Sequence, residues 1–197
     1  MGLFDLESNY ASFAAYHRNP INIFIHMILT WPTVFTASVL LYFTPPLIAH
    51  SPIQLVNGGA YVVLNYGFFM TLIYALYYVI LDRRAGSLAA LLCFLGWIGS
   101  SVLGRSLGFS LAWKVVLASQ ILCWSGLFIG HAVFEKRAPA IFDNFAQATL
   151  MGSFFVLLEI LRSCFGYEPY PGFHAKVKVK IDAEVKAWND AKLKKAY

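Results

Sequence analysis

The chain has 197 residues, of which 59% are hydrophobic and only 13% charged, with a formal charge of +5 and a mean hydropathy of +0.62. So little polar surface cannot coat a water-soluble fold, which excludes a soluble globular domain and makes lipid the missing solvent. Cys93, Cys123 and Cys164 sit in apolar segments without paired spacing, which argues against a disulfide framework and a thiolate zinc site. Much of the positive charge comes from seven lysines after residue 175, offset in part by Glu168, Asp182, Glu184 and Asp190. That balance suits anionic lipid headgroups and not nucleic acid.

The first nineteen residues carry Asp5, Glu7 and Arg18 and lack a basic n-region, so no removable signal peptide is expected. Leu3, Leu6, Tyr10, Phe13 and Tyr16 or His17 recur at three- and four-residue spacing, the pattern of an interfacial helix within residues 1–22. Asn19-Pro20 supplies an N-cap and an N1 proline for the next helix. Five apolar segments follow, at residues 23–43, 53–81, 85–104, 109–134 and 145–165, together the bundle of residues 23–165. Pro45-Pro46, Asp82-Arg83-Arg84, Arg105 and Lys136-Arg137 with Pro139 punctuate them. The third contains Gly96, Gly99, Ser100, Ser101 and Gly104, small residues that let helices approach closely. In the basic tail, residues 166–197, Ile181, Val185 and Trp188 share one helical face.

The expected fold is therefore all-α: a polytopic membrane helix bundle with interfacial helices at both ends. Five crossings would put the two ends on opposite sides of the membrane, and the charges resist this. With a cytosolic N-terminus, Arg18, Arg83, Arg84, Lys136 and Arg137 lie inside, against Arg105 and Lys114 outside. The expectation is four full crossings plus a fifth segment, bearing Gln147, Glu159 and Arg162, that is re-entrant or packed against the bundle. Both termini are then cytosolic, and Lys194 and Lys195 stand where a dilysine retrieval signal of endoplasmic reticulum membrane proteins would work.

His17 and His26, nine apart, would face opposite ways on one straight helix, but the break at Asn19-Pro20 can turn them toward each other. After four crossings His131 returns to the same membrane face. Neutral imidazole is the commonest metal ligand, and such a site suits non-heme Fe(II), with zinc also possible. Glu135, four residues after His131, is either a ligand or the acceptor that fixes an imidazole tautomer, with Asp143 a weaker candidate. Interfacial histidines that only hydrogen-bond are the bland alternative.

Two motifs, Tyr16-His17-Arg18-Asn19-Pro20 with His26, and Gly130-His131-Ala132-Val133-Phe134-Glu135-Lys136-Arg137-Ala138-Pro139-Ala140, resemble the endoplasmic reticulum 2-hydroxy fatty acid dioxygenases. The resemblance extends over essentially the whole chain. It implies an Fe2+-dependent enzyme of fatty acid α-oxidation, acting on products of phytosphingosine breakdown. A long-chain 2-hydroxy fatty acid would react with O2 and leave one carbon shorter, with His17, His26 and His131 as iron ligands. Arg18, Lys136 and Arg137 are cations beside those positions that can receive the substrate carboxylate or snorkel to lipid phosphate. The rivals are a small transporter, for which midplane charges beyond Glu159 and Arg162 are few, and a non-catalytic endoplasmic reticulum membrane protein. A di-iron desaturase needs more than the five histidines present.

Overall fold

The computed structural model describes residues 2–47, 53–54, 61–142, 145 and 147–196. Helix α1 spans Leu6–Tyr16; the Asp5 carboxylate accepts from the Ser8 N–H and caps it. Helix α2, Pro20–Leu41, begins where the sequence predicts, with the Asn19 side chain accepting from the Ile21 N–H at 2.9 Å. Two short strands, β1 (Ile53–Gln54) and β2 (Tyr61–Val62), pair antiparallel. Helix α3 is Tyr66–Leu81. Among the described residues, the second apolar segment, expected to begin at residue 53, is thus helical only from Tyr66: Ile53–Gln54 and Tyr61–Val62 form this ladder, and Asn65 caps the helix by accepting from Phe68 N–H. Asn65 also donates to the Leu41 and Tyr42 carbonyls at 2.9 and 3.0 Å, tying the end of α2 to the start of α3. Helix α4, Arg83–Ile129, follows at once because Asp82 accepts from the N–H groups of Arg84 and Ala85.

A six-residue π turn, Gly130–Glu135, continues α4; a 3₁₀ turn at Ala140–Phe142 and a second π turn at Gln147–Met151 lead into α5, Gly152–Phe165, and α6 spans Phe173–Ala196. The described residues divide into two compact units, Met1–Met27 with Phe128–Tyr197, and Ile28–Leu127.

In the second unit, Gly108 is the turning point. Its φ of +65° and ψ of +159° are not helical and lie in a region essentially reserved for glycine. The contacts with α2 show the result. Phe35 lies against Gly99 and Tyr42 against Gly104, so the first arm of α4 runs in the same sense as α2. On the second arm, Gly126 meets Leu29, Gln120 meets Thr33 and Thr36, and Ala112 and Val116 pack with Val39, which is the reverse order. The arms are antiparallel, and the third and fourth apolar segments form a hairpin whose break falls at Gly108, three residues after the expected Arg105. Gln120 donates to the Thr33 carbonyl and the Thr36 hydroxyl and accepts from Trp124, satisfying polar atoms that lipid would not.

In the first unit, α6 packs along α1 and α5 adds to the same cluster. Tyr10 is 1% exposed, with Phe155 edge-on at 5.6 Å and Phe173 also at 5.6 Å. Its hydroxyl donates to Glu159 at 2.5 Å, and Glu159 pairs with Arg162 at 3.4 Å, one turn on. Lys180 reaches the Ser8 hydroxyl at 2.9 Å and Glu7 at 3.1 Å, and the Tyr170 hydroxyl donates to Glu7.

Three helices are long and apolar enough to cross a membrane among the described residues, Pro20–Leu41, Arg83–Glu135 and Ala148–Phe165; α3 is apolar but shorter. Helix length alone therefore does not return the expected four crossings plus one packed segment.

Candidate metal centre

Three elements of the first unit meet at one point. His17 ends α1, His26 lies in the second turn of α2, and His131 opens the π turn after α4. Their ring centroids are 4.4 Å (His17 to His26), 4.8 Å (His17 to His131) and 5.0 Å (His26 to His131) apart. One ligand-capable atom from each lies within 4.8 Å of the others. His17 and His131 are buried and His26 is half-buried.

The hydrogen bonds fix the tautomers. His17 Nδ1 is 2.7 Å from the Phe13 carbonyl and His26 Nδ1 is 2.9 Å from the Asn22 carbonyl. A carbonyl only accepts, so both Nδ1 atoms carry the proton and both Nε2 atoms keep a lone pair. His131 Nδ1 is buried and has no partner among the described residues. An orphaned imidazole nitrogen costs free energy unless something binds it. Burial, then the adjacent His26 and His131, hold His17 well below the ordinary histidine pKa and keep it neutral. Lone pairs on two rings and an orphaned nitrogen on the third fit a metal ion that the three imidazoles would hold.

Phe13 stacks on the His17 ring at 4.1 Å. Glu135 does not join the histidine group: its Oε1 accepts from the Asn19 N–H at 2.7 Å and from Asn22 Nδ2 at 3.2 Å. The π turn carries one more residue per turn than an α-helix, which changes the face that four-residue spacing from His131 implies. Arg18 and Lys136 are exposed. Arg137 is turned inward over the Tyr16 ring at 3.5 Å and donates to the Ala15 carbonyl at 3.0 Å. His174 Nε2 donates to the Tyr167 carbonyl in the tail. Asp143 and His50 lie outside the described residues. Sequence reasoning missed Asn22, although an amide in an apolar run one helical turn before His26 was a usable signal.

The structure thus presents three imidazoles that could hold a metal ion, in a chain whose apolar helices are long enough to cross a membrane. The profile of the Mpo1-like family, described as 2-hydroxy-palmitic acid dioxygenase Mpo1-like, matches residues 3–164, and the chain belongs to that family. It is similar to the 2-hydroxy-palmitic acid dioxygenase MPO1 of Saccharomyces cerevisiae, with 27% identity over 188 residues that cover 95% of each chain. No solved structure matches it.

Proposed function

We propose that the chain is an Fe(II)-dependent dioxygenase that converts a long-chain 2-hydroxy fatty acid and O2 to a fatty acid one carbon shorter. The observation that carries this reading is the His17, His26 and His131 cluster, in which two rings present Nε2 lone pairs and the third an unpartnered nitrogen. Family membership and the name of the yeast relative support the substrate and reaction. Three imidazoles also suit zinc, but zinc has no redox chemistry, and a reaction with O2 calls for a redox-active ion, which favours iron. Iron, when bound, supplies electrons to O2 and Lewis acidity toward the hydroxy acid.

The overall reaction balances without another reductant: RCH(OH)COOH and O2 give RCOOH, CO2 and H2O. The C1–C2 bond breaks, C2 is oxidised to a carboxyl, and O2 takes up the four electrons. His17, His26 and His131 would hold the ion, while burial of two of the rings keeps water from its surroundings. Arg18 and Lys136, both exposed beside ligand-bearing elements, would receive the substrate carboxylate. Arg137 is a third cation nearby, already engaged with Tyr16 and Ala15. An amphiphilic substrate lies in the bilayer with its carboxylate at the headgroups, so chemistry at the ends of apolar helices spares it extraction from lipid.

The same reading places α2, α3 and the two arms of α4 across the endoplasmic reticulum membrane. At 53 residues, the segment Arg83–Glu135 would be about 80 Å long if straight, far beyond a core about 30 Å thick, and the turn at Gly108 fits two crossings. Packing of α6 along α1 supports both termini on one side, the cytosolic one. Helix α5 would then lie against α1, where Phe155 and Glu159 meet Tyr10, and not cross, although with the preceding π turn the stretch Ala148–Phe165 is 18 residues long, about 27 Å. Helix α6 runs to Ala196 and would place Lys194 and Lys195 on the cytosolic side.

The test is to load purified protein with Fe(II) and measure O2-dependent shortening of 2-hydroxypalmitate, for the wild type and for His17→Ala, His26→Ala and His131→Ala. Loss of activity and bound iron in each variant is expected. Unchanged turnover in all three would overturn the assignment.

A further inference from the structure

The two charged residues that follow His131 by four and six positions each reach a different histidine-bearing helix. Glu135 reaches α2. Its Oε1 accepts from the Asn19 N–H at 2.7 Å and from Asn22 Nδ2 at 3.2 Å, while Asn19 Nδ2 donates to the Phe134 carbonyl at 3.3 Å. Asn22 is 0% exposed, and its own carbonyl is the acceptor that orients His26. The arrangement is tight enough that a Cβ on Gly130 would collide with Asn22 Oδ1.

Arg137 reaches α1. Its guanidinium lies over the Tyr16 ring at 3.5 Å and donates to the Ala15 carbonyl at 3.0 Å, one and two residues before His17. Trp188 of α6 sits on the same guanidinium at 5.1 Å. Between the two arms, Lys136 has a φ of +52°, and its N–H and that of Arg137 both return to the His131 carbonyl. The backbone thus reverses directly behind His131 and sends the two side chains to separate helices.

We propose that Glu135 and Arg137 are positioning residues, forming a two-armed brace in which Glu135, through Asn22, sets His26 against His131, and Arg137, through Tyr16 and Ala15, sets His17 against His131. The inference rests on the three-histidine metal site argued above. It gives Arg137 a role distinct from binding the substrate carboxylate. A planar guanidinium both stacks on an aromatic face and donates sideways; a lysine ammonium cannot do both in this geometry.

The experiment measures affinity of the metal-free, full-length protein for Co(II) and Fe(II) by titration, alongside helicity and thermal midpoint of the metal-free state. The variants are Glu135→Ala, Glu135→Gln, Asn22→Ala, Arg137→Ala and Arg137→Lys. Outer partners of metal ligands are worth about 10–100-fold in affinity, and losses of that size are expected for Glu135→Ala, Asn22→Ala and both Arg137 variants, with helicity retained. Glu135→Gln keeps an acceptor oxygen and should recover much of the loss; a direct carboxylate ligand would not be rescued in this way. Affinities within twofold of wild type would overturn the brace, provided that His17→Ala, His26→Ala and His131→Ala abolish binding. If those three bind normally, the underlying site fails instead. A raised KM with unchanged metal affinity in Arg137→Lys would return Arg137 to substrate binding. Loss of helicity in the conservative and alanine variants alike would make the contacts ones of global folding and would also overturn the proposal.

Discussion

Gly130→Ala sets two effects of opposite sign against each other. In an ordinary helical turn the change stabilises by up to about 1 kcal/mol, because alanine restricts the unfolded chain and glycine does not. Here the new methyl meets Asn22 Oδ1, with Ile25 Cδ1 3.7 Å away. Asn22 is fully buried and held by Glu135, so it cannot swing into solvent. Forcing a methyl into a closed site costs about 1–3 kcal/mol, and weakening the amide-to-carboxylate hydrogen bond costs about 1–2 kcal/mol more. The net expectation is a destabilisation of about 1–4 kcal/mol, which for a chain of this size lowers the thermal midpoint by roughly 2–16 °C. Thermal melts followed by circular dichroism in a fixed detergent measure it. Asn22→Ala in the Gly130→Ala background removes the obstructing amide, so the double variant should lose less than the sum of the two single changes. A Gly130→Ala protein as stable as wild type, or additive losses in the double variant, would refute the close approach.

Tyr10→Phe deletes a buried hydroxyl that donates to Glu159 and should cost about 1–3 kcal/mol; an unaltered melting midpoint would count against that bond. Gly108→Ala forces a side chain into glycine backbone space, with an expected loss of about 1–3 kcal/mol and a shift toward aggregated material on gel filtration. An equally monodisperse and stable variant would argue against the hairpin at that residue. Asp5 is held below the ordinary carboxylate pKa, first by the Ser8 hydroxyl and then by the Ser8 N–H. Its contribution is therefore complete above the unfolded value of about 3.9 and lost as pH falls through the lower folded value. Asp5→Asn should keep the cap while flattening that acid limb of the stability profile, and an identical limb in both proteins would exclude Asp5 as its source.

What the amino-acid order reveals here depends on range. The start of α2 was legible because Asn19-Pro20 acts on its own neighbours, and the Asp82 turn for the same reason. The hairpin was legible as a break but displaced to Arg105, since charge marks where a chain leaves lipid whereas Gly108 marks where it can reverse. The start of α3 is hidden in the sequence because Ile53 and Val62 read as apolar whether in strand or helix, while the signal that marks it is the capping residue Asn65. Counting crossings leads the sequence reading to expect His17, His26 and His131 together, and the three rings do meet. The roles of Asn22, Tyr16 and Trp188 around them depend on contacts across more than a hundred residues in two cases of three, and on a π turn that shifts the helical face after His131. Spacing rules built on an α-helix do not reach that far.

The pairing of α6 with α1 bears on how the protein is made. Helix α1 leaves the ribosome long before the aromatic and ionic partners that seat it, Tyr170, Phe173 and Lys180. Until then the His17 helix has little to hold it, and contacts of such long sequence separation form slowly. If the three histidines hold a metal, its capture would thereby wait for α6, which follows the apolar hairpin in the chain.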